Sequence, residues 1–167
     1  MGSVIIAWTI RISIILFFGT LIVWVFQRRS GRFDGTLRTL WTAGFVLFVA
    51  HVLTAFHFHH DWNHAAAIAE TARQTRELIG LEFGAGLYFN YLFLLVWALD
   101  IVWIWFVNVE IVKRYRWLRI AWLAYLIFIA FNGVAVFKSG GMRAGGIAAL
   151  TLISLGIIMR MKHPHPH

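Results

Sequence analysis

No cysteine occurs anywhere in this chain of 167 residues. That single absence removes disulfides, iron–sulfur clusters, c-type haem attachment, thiolate zinc and a cysteine nucleophile. Any chemistry has to come from histidine, carboxylate, amide or hydroxyl groups. Charge is scarce as well: 13% of residues are Asp, Glu, Lys or Arg, where a soluble domain carries about 25%. In their place stand 60% hydrophobic and 17% aromatic residues, with a mean hydropathy of +0.75. A soluble fold of one-domain size cannot hide that much apolar surface, so the solvent expected for this chain is lipid.

Five apolar runs are long enough to cross a hydrocarbon core of about 30 Å as helices. They lie near Val4–Phe26, Thr39–His59, Leu87–Val109, Leu118–Phe137 and Gly145–Met161. The expected fold class is therefore all-α, a polytopic membrane helix bundle of about five transmembrane helices. One integral membrane domain covers residues 1–162, and a His/Pro tail follows at 163–167. The tail can scavenge metal weakly, but its prolines and exposed position predict disorder and no specific role.

The net charge of +8 does not indicate nucleic acid, because the basic residues lie at the ends of apolar runs and not along one polar face. It is a topology signal. Arg28, Arg29, Arg32 and Arg38 against Asp34 follow the first run, and Lys113, Arg114, Arg116 and Arg119 against Glu110 follow the third. The positive-inside rule places these connections, with Arg160 and Lys162, in the cytoplasm. We expect the N-terminus outside, the C-terminus inside, and a multi-pass protein of a bacterial inner membrane. Lys138 and Arg143 beside the Ser139-Gly140-Gly141 turn run against the rule. The first run stays as an anchor, since no basic region precedes it. Trp8, Trp24, Trp41, Tyr88, Tyr115 and Trp117 lie near span ends, where aromatic rings anchor at the lipid surface.

The connection after the second run, Asp61–Phe83, has four acidic residues, Asp61, Glu70, Glu77 and Glu82, against Arg73 and Arg76, a net −2. Glu70, Arg73, Gln74 and Glu77 share one helical face and Ile68, Ala72 and Ile79 the other, which predicts an amphipathic helix on the membrane surface. Asp61 or Asn63 is placed to cap it. Gly80, Gly84 and Gly86 let the chain turn back into the bilayer.

Five of the eight histidines crowd this border: His51, His57, His59, His60 and His64, in the run HVLTAFHFHHDWNH. With His51 at zero on an unbroken helix, His60 falls at about 180°, His64 at about 220°, His57 at about 240° and Asp61 at about 280°. That arc presents three imidazoles and a carboxylate together, as a metal site requires; His51 and His59 point elsewhere. A break at Asp61-Trp62-Asn63 releases His64 from the arc. Within the run, His60-Asp61-Trp62-Asn63-His64 resembles the H-E-x-x-H of zincins, with Asp in place of Glu. The resemblance implies that His60 and His64 hold zinc and that Asp61 serves as general base, although Asp is one methylene shorter. Glu70, Glu77 or Glu82 is available as a further ligand.

The ligand set expected is His57, His60 and His64 with Asp61 or Glu82, holding zinc, copper or iron, with Tyr88 and Tyr91 supporting it from the next shell. The opposing interpretation is a group of polar residues solvated at a helix end. Clustered imidazoles also suit pH sensing. Haem fits less well, because the first, third, fourth and fifth runs contain no His. Membrane di-iron hydroxylases and desaturases use more histidines, spread over several cytoplasmic boxes.

Asp100 stands in the middle of LLVWALDIVWIWF, where a bare carboxylate costs at least about 2.5–3.5 kcal/mol. It therefore needs a partner or a proton. Asn90, Trp97, Asp100, Ile104 and Asn108 form a stripe that should face the bundle, with Asn132 and Ser154 as candidate partners. Arg11 is expected to snorkel outward instead of pairing with Asp100. The functions this leaves are a metal-binding membrane protein, either a metallohydrolase or a redox subunit, and a non-enzymatic accessory or assembly subunit. The partners expected are the bilayer and another membrane protein or a second copy of the chain.

Overall fold

The computed structural model describes residues 1–27, 34–107, 111, 114–135 and 140–162. Asn108, Arg28, Arg29, Arg32, Glu110, Lys113, Lys138 and the 163–167 tail lie outside these described residues. Among the described residues there are six helices: α1 Gly2–Phe26, α2 Gly35–His59, α3 His64–Ile79, α4 Gly86–Phe106, α5 Arg116–Ala135 and α6 Gly141–Lys162. All but α3 are long and apolar enough to cross a membrane, so the chain is a multi-pass helical membrane protein. No strand occurs among the described residues. In lipid no water is available to an unpaired backbone amide, so each apolar run closes its hydrogen bonds within itself.

Capping extends two of these helices past their apolar runs or fixes where they start. Asp34 accepts a hydrogen bond from the Leu37 amide at 2.9 Å and starts α2 four residues ahead of the apolar run. Asn63 accepts from the Ala66 amide at 3.2 Å and starts α3. Gly80, at φ 75, ends α3 in the left-handed conformation that glycine adopts without steric cost.

The five spanning helices form a closed ring. Helix α1 packs on α2 and α6, α6 on α5, α5 on α4, and α4 on α2, while α3 lies on α4. Lipid supplies no hydrophobic drive between helices, so close packing has to supply the adhesion. At the α1–α2 contact the Ser13 hydroxyl donates to the Gly44 carbonyl at 2.8 Å. A Cβ on Gly44 would sit 3.3 Å from both Leu16 and Trp97, so a small residue is required there.

Inside the ring a layer of aromatic side chains fills the middle. Phe17, Trp41 and Trp97 are 0% exposed and Phe93 1%. Phe17 stacks on Trp41 at 5.0 Å and meets Trp97 edge-on at 5.1 Å, and Phe48 meets Phe93 at 5.0 Å. Such pairs contribute about 0.5–1.5 kcal/mol each beyond the area they bury. Trp41 is thus core, not the interfacial anchor its position in the sequence suggested. Trp8 and Trp117 do lie on the exterior, with the Arg11 guanidinium 5.5 Å from the Trp8 ring, in keeping with an arginine that snorkels.

Candidate functional site

At the α3 end of the ring, above the aromatic layer, lies a cavity of about 310 Å³. All six helices contribute to its wall. Ile10, Ile14, Val52, Leu94, Ile129 and Met142 supply aliphatic surface, and Phe48, Phe56 and Phe93 supply rings. Polar groups gather from α2, α3 and α4: His51, His60, Glu70, Thr71, Gln74, Asn90 and Tyr91.

The turn between α2 and α3 decides where the histidines go. Helix α2 stops at His59, and Asp61 (φ 45) and Trp62 (φ 59) both adopt left-handed backbone. The Trp62 amide closes back on the Phe56 carbonyl at 3.1 Å, and the Asn63 amide on the His60 carbonyl at 2.6 Å. Left-handed backbone is tolerable for Asp and costly for a bulky residue. The break ends the single helical arc on which His57, His60, Asp61 and His64 were to converge. Among the described residues, no three His, Asp or Glu side chains come together closely enough to hold one metal ion.

Each expected ligand has its own surroundings. His57 is exposed, its ring 4.6 Å from Phe58 and 6.3 Å from Trp62. His60 is half-buried on the cavity wall, 5.6 Å from the Phe56 ring. His64 opens α3 and stacks on Tyr91 at 5.8 Å, with the Tyr91 hydroxyl 3.1 Å from its Nδ1; Tyr88 stands 6.0 Å away edge-on. Of the expected histidines, His64 is thus the one that Tyr88 and Tyr91 contact. Asp61 is an exposed turn residue. Glu82 is exposed, 4.0 Å from Arg76.

His51 was expected to lie off the arc of ligands on an unbroken helix; it lines the cavity, its Nδ1 3.0 Å from the Ile6 carbonyl. A carbonyl only accepts, so Nδ1 carries the proton. Glu70 is the most heavily bonded acid. Arg73 donates to it through Nε at 2.8 Å and through a terminal nitrogen at 2.6 Å, and Gln74 Nε2 donates at 2.8 Å. Those bonds, Arg73 first and Gln74 second, outweigh partial burial and hold the carboxyl down to about 2, helped by the charges of Arg73 and His60. Arg73 also reaches Glu77 at 2.5 Å, and its two carboxylates push its own ionisation above the usual arginine range.

On the other side of the aromatic layer, Asp100 is 0% exposed and accepts from Arg119 Nε at 3.3 Å. The guanidinium lies 5.9 Å from the Trp24 ring. Of the partners expected for Asp100, Asn132 donates instead to the Phe128 carbonyl in its own helix at 2.7 Å, and Ser154 is exposed. The stripe faces inward at Trp97, Asp100 and Ile104, while Asn90 is exposed at the cavity mouth. A signal for Arg119 was available: it lies in the first turn of α5, which follows the end of α4 that Asp100 is nearer. No family model, curated protein or solved structure matches the chain.

Proposed function

We propose that this chain is a non-enzymatic accessory membrane protein that takes a small amphipathic molecule into the cavity beneath α3. The observation that carries this reading is the cavity's polarity: polar side chains crowd its α3 end, and rings and aliphatic groups line the rest. Its volume of about 310 Å³ lies at the small end of the range of about 300–1,000 Å³ typical of ligand pockets. Phe93 on its wall packs against the buried Trp97, which in turn meets Trp41 and Phe17, and so dense a ring cluster beside the cavity suits a binding site better than a conduit. The sequence charge pattern supports an orientation with the N-terminus outside, the C-terminus in the cytoplasm and α3 on the exoplasmic side of a bacterial inner membrane.

Thermal unfolding in lipid nanodiscs tests the binding reading. A panel of water-soluble phenylalkyl compounds with different head groups is titrated against the wild type and against Ala55→Trp, which fills the cavity. A saturable rise in stability with at least one compound, lost in Ala55→Trp, is the expected result. No saturable response to any compound overturns the reading.

A divalent metal, zinc, copper or iron, is the second reading, in a metallohydrolase or a redox subunit. What favours it is that His51, His60 and Glu70 share the wall of one cavity. Metal analysis is done on protein whose tail His163, His165 and His167 are replaced by Ser. One bound equivalent, lost on His60→Ala, establishes this reading over the first.

A further inference from the structure

Resting on the binding reading above, we infer that the cavity selects a small organic cation, a primary ammonium group on an aromatic or short aliphatic body. The charge and the hydrogen-bonding groups left at the polar end decide which head group fits. Three donors on the wall are already committed within the protein: Thr71 Oγ1 to the Ala67 carbonyl at 2.8 Å, Gln74 Nε2 to Glu70 at 2.8 Å, and His51 Nδ1 to the Ile6 carbonyl at 3.0 Å. Thr71 then offers only lone pairs, and Gln74 its amide oxygen together with one remaining N–H. The Tyr91 hydroxyl is engaged with His64. His60 and Asn90, which also line the cavity, can both donate and accept, so the charge beside the cavity and its rings decide the head group.

Glu70 adds charge to that acceptor character. A carboxylate has about four acceptor positions, and Arg73 and Gln74 occupy three of them. Arg73 is shared between Glu70 and Glu77, so the three side chains together carry one net negative charge. The whole 61–83 connection is net acidic, four acids against two arginines, in a chain that is otherwise strongly basic. Deeper in, Phe48, Phe56 and Phe93 present rings to the cavity, and aromatic faces attract cations. Acceptors, a net negative charge and aromatic faces all favour an ammonium over a neutral or anionic head on the same body.

The test holds the body constant and changes the head. 4-Phenylbutylammonium, 4-phenylbutanol and 4-phenylbutanoate are titrated by calorimetry into the full chain in nanodiscs of zwitterionic lipid. The ammonium should bind saturably and at least about tenfold more tightly than the other two. Glu70→Gln and Gln74→Leu, both on the cavity-facing side of α3 but still partly solvent-exposed and so expected to fold, should each weaken the ammonium several-fold and leave the alcohol unchanged. Alcohol or carboxylate binding as tightly as the ammonium overturns the cation assignment and leaves the binding cavity standing. Failure of all three to saturate overturns both.

Discussion

The Asp100–Arg119 pair allows a double-mutant cycle whose sign pattern follows from burial. Asp100 has no solvent exposure and the Arg119 side chain 12%, with 3.3 Å between Nε and Oδ1. Deleting one partner of a buried pair costs about 3–5 kcal/mol, because the other charge is stranded. Arg119 retains slight contact with its surroundings and packs on Trp24, so Arg119→Met should fall at the lower end, about 3 kcal/mol. Asp100→Leu strands the guanidinium, which can snorkel towards the border, and should cost less, about 2 kcal/mol. Replacing both charges with apolar residues of similar volume should bring stability back to within about 1 kcal/mol of the wild type. The coupling energy is then about 4–6 kcal/mol and scarcely salt-dependent. Unfolding by SDS in mixed micelles, followed by tryptophan fluorescence, reads all four corners, since Trp24 and Trp41 adjoin the pair. Single substitutions that each cost under about 1 kcal/mol and simply add would refute the pairing.

Three further outcomes are expected. Glu70 is held at about 2, below its ordinary 4.5. A depressed carboxyl stabilises the fold above the unfolded value and loses that contribution as pH falls through the folded one. Hydrogen exchange of α3 should therefore accelerate between about pH 4.5 and 2 in the wild type and less so in Glu70→Gln. At the left-handed turn, Asp61→Asn should be close to neutral while Asp61→Val costs about 1–2 kcal/mol in the same SDS titration, whereas a catalytic Asp61 would make neither variant active. On α6, a Cβ added to Gly156 runs into the Val25 side chain, whereas one added to Gly145 meets open space. Gly156→Ala should destabilise by about 1–3 kcal/mol and Gly145→Ala should be neutral or stabilising, as read by thermal unfolding.

Most of the fold was legible because lipid leaves a 20-residue apolar run few alternatives to a helix. The boundaries that slipped are polar or glycine-rich first turns: α2 starts at Gly35, not Thr39, because Asp34 caps it, and α6 starts at Gly141, not Gly145. The surface helix and its Asn63 cap were also readable, from the alternation of faces and the position of the cap. The site was much less so. Its wall depends on which helices are neighbours in the ring, and no local pattern encodes that order. His51 looked misdirected on its own helix, yet it faces a chamber whose other walls come from distant parts of the chain. Arg119 was counted as a topology charge, yet by helical rise it lies about 5 Å from the start of α5 and Asp100 about 9 Å from the end of α4, a gap an arginine side chain spans.

Closure of the ring by α6 against α1 also bears on biosynthesis. Helices α1 and α2 can pair as soon as the second leaves the ribosome and enters the bilayer, but the chamber has no complete wall until the sixth helix docks and brings Met142 into place. Until that last insertion step, the flanks of α1 and α5 that α6 will cover face lipid. Substitutions that slow docking, such as at Gly156, should therefore lower the yield of assembled protein by exposing it longer to membrane proteases.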